Sequence, residues 1–239
     1  MRRTVEEIER RLRQGLFTQH VVVNVAKLVK MQRDHELRAA IEGCDIVNID
    51  GAGVMFGGRI LGFSIPERVT GIDLFHELLA QSEASGRSVY FLGARSEVLE
   101  VTVQNIRRQY PRLNIAGHHH GYFWDDEATV VDRIRDSGAD LLFAGFSTPM
   151  KEQFIDRWGE ELGVKFAMGV GGTFDIVAGK VDRAPAWMQK IGLEWLYRVI
   201  QEPRRMFMRY FTTNSAFAGM LIAELGRRAL GRGRSRPDS

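Results

Sequence analysis

The stretch that decides the fold runs from residue 45 to residue 53 and reads Asp-Ile-Val-Asn-Ile-Asp-Gly-Ala-Gly. Residues 45–49 form a short, largely apolar run of the length of one β-strand. Asp50 follows directly and opens a glycine turn at Gly51 and Gly53. This pattern predicts a strand whose carboxyl end places a carboxylate at the mouth of a crevice, as in parallel α/β sheets.

Similar short apolar runs recur along the chain, and longer segments with helical spacing separate them. The runs cover residues 20–25, 45–49, 88–92, 113–116, 139–144 and 164–168, and the helical segments cover residues 25–41, 71–84, 96–110, 128–136 and 149–162. This alternation predicts a Rossmann-like α/β fold, with a mostly parallel sheet and helices on both of its faces.

Length and charge predict one core followed by a basic appendage. The chain has 239 residues, of which 44% are apolar, and a formal net charge of only +3. The positive charge concentrates in residues 198–236, where many arginines accompany only two acids, Glu202 and Glu224. We therefore predict an α/β core over residues 1–197 and a basic amphipathic appendage with a tail over residues 198–239.

The appendage sequence predicts helices that contact a membrane surface. Residues 184–201 read as one helix that Pro203 interrupts. Residues 203–225 then mix large apolar side chains with arginines, the composition of an interfacial amphipathic helix, although a terminal helix packed on the core explains it equally well. Residues 232–239 read as a disordered tail. We expect neither a membrane-spanning segment nor a signal peptide.

The predicted strand ends are the places to look for a ligand, because crevices in open α/β sheets form beyond them. Glycine at most of these ends would let backbone amides approach a phosphate, although it also makes tight strand-to-helix turns. The candidate substrate-binding positions there are Asn24, Gly51, Gly53, Gly93, Gly145, Pro149, Gly169, Gly171 and Gly172.

Three polar side chains are candidates for catalysis. Asp50 suits a general base, but it would equally cap the helix that follows. Arg68 suits a phosphate contact, with a surface salt bridge as the alternative. Gln153 lies early on the helix after Pro149 and would face the same crevice. The histidine run 118–120 does not predict a metal site, because consecutive side chains point in different directions.

Two other functional classes remain open at this point. A nicotinamide-dependent oxidoreductase would need a G-x-G-x-x-G fingerprint after its first strand, which neither Gly51–Gly58 nor Gly169–Gly172 provides. A nucleic-acid-binding protein would use the arginine-rich end, but no binding motif accompanies it. The mixture of arginines with large apolar residues favours a membrane surface.

Taken together, the motifs resemble the WecG/TagA/CpsF family of bacterial glycosyltransferases. The resemblance covers roughly residues 18–210. It is carried by the strand end at Asn24 and by the segments 45–53, 67–74, 121–123, 145–153, 169–175, 183–185 and 194–198. In order and spacing this set is specific.

The resemblance implies the reaction and its partners. Members transfer a sugar, commonly of the N-acetylmannosamine type or glucose, from UDP onto a polyprenyl-diphosphate-linked sugar in cell-surface polysaccharide synthesis. They invert the anomeric centre without a metal ion, and the resemblance implies no cofactor. The expected location is therefore the cytoplasmic face of the inner membrane. The resemblance allows homo-oligomers and implies no nucleic acid as partner.

The resemblance also implies site residues. Asp50 matches the proposed base, Arg68 and Gln153 match active-site positions, and Asn24 matches the polar residue that ends the first strand. Residues 22–24 read Val-Val-Asn where the family often has Thr-Pro-Asn, so a hydroxyl near the substrate is missing. Further substrate-binding candidates come from the carboxyl-terminal motifs and from the appendage, and they are Asp175, Arg183, Arg198, Arg204, Arg205 and Arg209.

Overall fold

A computed structural model describes residues 1–65 and 67–231, apart from the side chains of Lys190 and Arg205. The predicted tail at 232–239 lies outside the described residues. Six strands form one sheet, and they match the six predicted runs to within a few residues. They are β1 (Thr18–Val23), β2 (Ile46–Ile49), β3 (Ser88–Gly93), β4 (Asn114–His119), β5 (Leu141–Gly145) and β6 (Phe166–Gly169).

The sheet has the strand order β2-β1-β6-β5-β3-β4, and each neighbouring pair is parallel. The chain continues from β3 outward to β4, but from β5 it continues in the opposite direction to β6. The neighbours β3 and β5 therefore form a topological switch point, where a crevice opens at the carboxyl edge of such sheets. The predicted Rossmann-like fold is confirmed.

Helices connect the strands and continue into the carboxyl-terminal region. They are α1 (Arg2–Arg13), α2 (Val25–Lys30), α3 (His35–Glu42), α4 (Ala52–Ile60), α5 (Gly71–Ser85), α6 (Ser96–Gln109), α7 (Glu127–Asp136), α8 (Met150–Trp158), α9 (Thr173–Val177), α10 (Ala186–Lys190), α11 (Glu194–Gln201) and α12 (Pro203–Ala229).

Helices bury apolar side chains on both faces of the sheet. One face of the sheet is covered by α1, α5, α6 and α9, which share a core with alternate strand residues. Phenylalanines form the centre of this core, and the rings of Phe75 and Phe143 have centroids 4.9 Å apart and an interplanar angle of 82°. On the other face α3, α7 and α8 pack on the remaining strand residues. This two-sided burial explains why the strands read as continuous apolar runs.

The carboxyl-terminal helices pack at the carboxyl edge of β1 and β2. Helix α12 contacts α2, and α11 contacts α12. Gly57 on α4 leaves room for α12, because a Cβ there would lie 2.7 Å from Cζ of Phe217. The appendage is therefore held against the core by the two helices that follow the first two strands.

Several local predictions need correction. Residues 25–41 form two helices, because Asp34 caps α3 by accepting from the backbone N–H of Leu37. Residues 184–201 also form two helices, which Gly192 separates with φ +77°. The boundary after residue 197 stays a prediction, and its position lies within α11.

The amino-terminal helix uses Thr4 for a contact with the sheet and not for capping. Thr4 and Glu7 have the spacing of a capping box, yet the helix begins at Arg2 without a side-chain cap. The Thr4 hydroxyl instead accepts a hydrogen bond from Nδ2 of Asn48 on β2, over 3.0 Å. The polar residue in the apolar β2 sequence is thus paired with α1 rather than aimed at the crevice.

The floor of the switch point depends on a close approach of two glycines. Gly93 ends β3 with φ +129° and pairs with Gly145 at the end of β5. A Cβ on Gly93 would lie 2.6 Å from the carbonyl carbon of Gly145, and a Cβ on Gly145 would lie 2.3 Å from the Phe174 ring. Neither position has room for a side chain.

We expect Gly93→Ala to lower the free energy of unfolding by about 2–4 kcal/mol, because it adds backbone strain and a clash with main chain that cannot rotate away. Gly138→Ala is the matched control, since Gly138 also has positive φ, at +65°, but no atom lies within 4 Å of the added Cβ. That variant should lose only about 1 kcal/mol. Urea denaturation measures both, and equal losses would contradict the close-approach argument.

Candidate active site

Asp50 stands at the carboxyl end of β2, beside the end of β1. Its backbone N–H donates to the Val23 carbonyl over 2.9 Å, which extends the β1–β2 pairing to this residue. Helix α4 begins at Ala52 with Gly51 as its N-cap, and no side chain caps it. The alternative role of Asp50 as a helix cap is therefore not what the structure shows, and its carboxylate points to another partner.

That partner is Arg68, whose guanidinium joins three separate elements. Nε of Arg68 donates to Oδ1 of Asp50 over 3.0 Å, and NH1 donates to the backbone carbonyl of Gln189 on α10 over 3.3 Å. The NH2 group forms a salt bridge with Glu194 on α11. With a side chain only 22% exposed, Arg68 sits within the structure rather than on an open surface.

The environment of Asp50 sets its proton affinity in two opposing ways. Burial raises the pKa of Asp50 above the ordinary value of an aspartate, and Asp73 adds to this rise. Arg68 and the backbone N–H of Gly51 lower it, but they do not cancel the effect of burial. A carboxylate with a raised pKa is a stronger base than a fully solvated one, and this suits proton abstraction.

A second ion pair lies next to this group, at the start of α5. Thr70 caps α5 by accepting from the backbone N–H of Asp73. The Asp73 carboxylate in turn accepts from NH2 of Arg183 over 2.6 Å. Nε of Arg183 is buried without a hydrogen-bond partner in the described residues. The predicted residue Arg183 is thus linked through Asp73 to the surroundings of Asp50.

The appendage brings Tyr210 on α12 to the same region. Burial raises the pKa of Tyr210; Arg198 and Arg209 oppose this rise, and Asp50 and Glu194 add to it. All four charged groups therefore act on one phenol. Two of the predicted appendage arginines, Arg198 and Arg209, thus belong to the neighbourhood of Asp50.

Arg204 and Arg205 are the other two predicted arginines of the appendage. Arg204 is exposed to solvent at the start of α12. The side chain of Arg205 lies outside the described residues. Their predicted contact with substrate therefore stays a prediction.

A buried charge cluster lies beneath the carboxyl ends of β1 and β6. Glu152 on α8 forms salt bridges with Lys27 on α2, at 2.8 Å, and with its neighbour Lys151, at 3.0 Å, and all three side chains are at most 8% exposed. Burial lowers the pKa of Lys151 to about 8. Burial alone would raise the pKa of Glu152, but the two lysines outweigh this effect and lower it. The cluster thus keeps a net positive charge close to the crevice.

The predicted residue Gln153 lies on the same helix but has a different partner. Its Nε2 donates to Oε2 of Glu36 on α3 over 3.0 Å. The described contacts therefore tie Gln153 to α3, whereas the preceding residues Lys151 and Glu152 are the ones that α8 buries toward β1 and β6. Asn24 likewise has a local role, because its Oδ1 accepts from the backbone N–H of Lys27 and caps α2.

The predicted glycines spread along the whole carboxyl edge. Adjacent strands lie about 4.8 Å apart, so the end of β6 is about 10 Å from the end of β2, and the end of β3 is about 19 Å from it. Gly169 ends β6, and the Lys151 side chain crosses it so closely that a Cβ would lie 2.7 Å from Cδ. Gly171 follows with φ +54° and Gly172 precedes α9. Gly53 is the second residue of α4, and Pro149 is the N-cap of α8.

An open cleft lies at the far end of this edge, where α6 begins. Arg95, Ser96, Glu97 and Tyr122 line it. The Tyr122 phenol raises the pKa of Arg95, and Asp175 on α9 contributes in the same sense. The predicted residue Asp175 therefore lies on the Arg95 side of the sheet, and it also faces Lys180 at 3.7 Å. It belongs to a different part of the edge from Asp50.

The residues that the structure describes include no group of three or more His, Cys, Asp or Glu side chains arranged to hold a metal ion. His118 pairs with Glu100, and His119 contacts the carbonyl of His120. Burial raises the pKa of the Cys44 thiol to about 12, in keeping with a structural cysteine. Over the same residues, no helix is both long enough and apolar enough to cross a membrane.

Three residues of this region did not emerge from the sequence as candidates. Glu194 lies in a segment that carries the family resemblance, but its distant partner cannot be seen in the chain. Tyr210 follows Arg209 in an apolar helix pattern and looks like a core residue. Glu152 is an acid next to Lys151 on a helix that is otherwise apolar toward the sheet. Charged residues at such positions indicate a buried ion pair, and this pattern could have identified Glu152.

We expect Glu152→Ala to lower the free energy of unfolding by about 3 kcal/mol or more, because it leaves two buried lysines without an anion. Asp132→Ala is the control: it removes the partner of Arg135 in an exposed salt bridge on α7, which should cost at most about 1 kcal/mol. Urea denaturation at neutral pH measures both variants. Similar small losses would show that the cluster is not the buried network described above.

The geometry so far defines an α/β protein with a partly buried carboxylate–guanidinium pair at the carboxyl edge of a parallel sheet. The family model described as "Glycosyl transferase WecG/TagA/CpsF family" matches residues 1–230. The chain therefore belongs to this glycosyltransferase family.

Two curated relatives are each named N-acetylglucosaminyldiphosphoundecaprenol N-acetyl-beta-D-mannosaminyltransferase. The chain is 34% identical to the one from Bacillus spizizenii over 167 residues, which are 70% of this chain and 65% of the relative. It is 31% identical to the one from Bacillus subtilis strain 168 over 173 residues, which are 72% of this chain and 67% of that relative. The similar regions thus span about two thirds of each relative.

Proposed function

We propose that this protein transfers a sugar of the N-acetylmannosamine type, or glucose, from a UDP-sugar to a polyprenyl-diphosphate-linked sugar, with inversion and without a metal ion. The observation that carries the proposal is the Asp50 carboxylate, held by Arg68 at the carboxyl edge of β2, in a chain of this glycosyltransferase family. The names of the two Bacillus relatives support both the transferred sugar and the lipid-linked acceptor.

In this reaction Asp50 acts as the general base. The acceptor hydroxyl gives its proton to the Asp50 carboxylate while its oxygen attacks the anomeric carbon of the donor. The bond from that carbon to the β-phosphate oxygen breaks, and UDP leaves with the electron pair. The raised pKa of Asp50 favours proton uptake, and the hydrogen bond from Arg68 holds one oxygen of the carboxylate in place.

Charge that develops on the departing UDP needs cations and oriented amides nearby. Arg198 and Arg209 act on the same phenol as Asp50, which supports them as candidates for this role. The turn at Gly171 and Gly172 follows the end of β6, which lies about 10 Å from the end of β2 by strand spacing. Its backbone amides are therefore candidates to receive the diphosphate of a donor whose sugar reaches Asp50. Gly93, about 19 Å away, would contact only the far end of an extended donor.

We expect Asp50→Asn to lower turnover by ~10²-fold or more, because the amide cannot take up the hydroxyl proton. The control is Asp45→Asn, at the other end of β2, where the carboxylate accepts from the backbone N–H of Gln19 and pairs with Arg11, away from the carboxyl edge. Release of UDP from UDP-N-acetylmannosamine, with an N-acetylglucosaminyl-diphospho-polyprenol acceptor, measures turnover.

A near-normal rate for Asp50→Asn would remove Asp50 as the base. The donor itself is identified by a screen of UDP-sugars with and without the lipid-linked acceptor. Acceptor-dependent release from none of them would contradict the proposed reaction, whereas oxidation of NAD(P)H or salt-sensitive binding of nucleic acid would favour the other two classes.

We further propose that the protein works on the cytoplasmic face of the inner membrane, with α12 on the bilayer. Large apolar side chains at Phe207, Phe211, Ile222 and Leu225 are exposed along this helix. Their spacing places them on one side of the helix, and arginines at both of its ends would attract anionic lipid headgroups. Such a surface would hold the protein at the bilayer that contains its lipid-linked acceptor.

We expect the triple variant Phe207→Ser, Phe211→Ser, Ile222→Ser to bind vesicles that contain phosphatidylglycerol at least ~10-fold more weakly than the unchanged protein, since it loses most of the inserted apolar area. Val101→Ser on α6 is the control, because Val101 is also exposed but lies on another helix. Vesicle sedimentation measures binding. Equal binding by the triple variant would contradict this membrane face.

A further inference from the structure

We propose that Glu194 is a positioning residue for the Asp50–Arg68 pair, holding the guanidinium so that its Nε edge stays on the proposed base. This inference rests on the proposed function, because it takes Asp50 as the group that receives the acceptor proton. It goes further in giving the carboxyl-terminal helices a defined part in setting up the base.

The first support is the way the protein surrounds Arg68. Asp50, the carbonyl of Gln189 and Glu194 accept from Nε, NH1 and NH2 respectively, so each nitrogen of the planar guanidinium has one protein partner. A planar group bound on three edges has a fixed orientation. If the salt bridge to Glu194 were lost, rotation about the side chain would carry Nε away from Asp50.

The second support is how the chain brings Glu194 there. Gly192 separates α10 from α11 with φ +77°, and a Cβ at this glycine would lie 3.2 Å from Cβ of Ala52. Ala52 is the first residue of α4, two positions after Asp50. The turn before α11 therefore packs beside the strand end that carries the base, and Glu194 follows in the first turn of α11.

The third support is electrostatic. Two carboxylates share one guanidinium, so Glu194 competes with Asp50 for the positive charge of Arg68 while it fixes the position of that charge. Glu194 also acts on Tyr210, together with Asp50, Arg198 and Arg209. One side chain of α11 thus connects the base, its cation and the phenol that α12 contributes.

The decisive variant is Glu194→Gln, which keeps the size and an acceptor oxygen but removes the charge. Asp50 would then be the only carboxylate paired with Arg68, and a nearby negative charge would be gone, so the ionised form of Asp50 becomes more stable and its pKa falls. The acid limb of the pH profile of kcat/KM should therefore move to lower pH. An acid limb that stays in place in Glu194→Gln would overturn the inference.

A second variant tests positioning. Glu194→Ala releases NH2 of Arg68, and we expect kcat to fall by ~10-fold or more while KM for the UDP-sugar changes by less than ~3-fold, because the base is misplaced rather than the donor site. A rise in KM as large as the fall in kcat would instead indicate that Glu194 helps to bind the donor, and it would overturn the inference. The melting temperature, followed by circular dichroism, checks that both variants fold.

The matched control is Glu224→Gln on α12. Glu224 also pairs with arginines, Arg227 and Arg228, within the carboxyl-terminal helices, but on their surface. It should change neither the acid limb nor kcat. Asp50→Asn separates the two proposals: if it keeps normal turnover, the proposed base is wrong, whereas an inactive Asp50→Asn with an unmoved limb in Glu194→Gln removes only the role of Glu194.

Discussion

The contact between the Arg68 guanidinium and two carboxylates is the constraint on which the rest of the site depends. A guanidinium stays charged at any pH at which the protein is folded, so an arginine that is largely withdrawn from water needs anions and carbonyl groups around it. Asp50 from the sheet and Glu194 from α11 meet this need together. Their shared cation holds the carboxyl-terminal helices at the end of β2.

The charge cluster on α8 also pairs buried cations with a carboxylate, on the other side of β1. Glu152 lies between Lys27 and Lys151, and the stem of Lys151 covers Gly169. Gly169 therefore has a packing reason to lack a side chain, besides any approach of its backbone to phosphate. The first two strands thus each end next to a group of buried or partly buried charges that pair with one another.

The fold was largely predictable from the sequence, because its signals are local. Each strand is a short apolar run followed by a polar or glycine end, and all six were found. Breaks inside helical segments were missed at Asp34 and Gly192, where a cap or a turn interrupts an apolar pattern that continues beyond it. Local spacing carries no information about such interruptions when the same face stays apolar.

The candidate site was predictable only in part, because its contacts join distant residues. Asp50 and Arg68 could be named as candidates from the loops in which they lie. The salt bridge from Arg68 to Glu194 spans 126 positions, and neither segment contains a pattern that predicts its contact with the other. On α8 the helix was right, yet the buried polar residues proved to be Lys151 and Glu152, whereas Gln153 turns to α3. Rotation about a helix axis decides such cases.

The glycine contacts at the switch point also bear on how substrate preference could change. Gly93, Gly145 and Phe174 fit so closely that this base of the crevice admits almost no variation in side-chain size. New specificity, whether selected in nature or in the laboratory, would have to come from the walls above it. Beside this base the open cleft is lined by Arg95, Ser96, Glu97 and Tyr122, which can be altered without rebuilding the sheet.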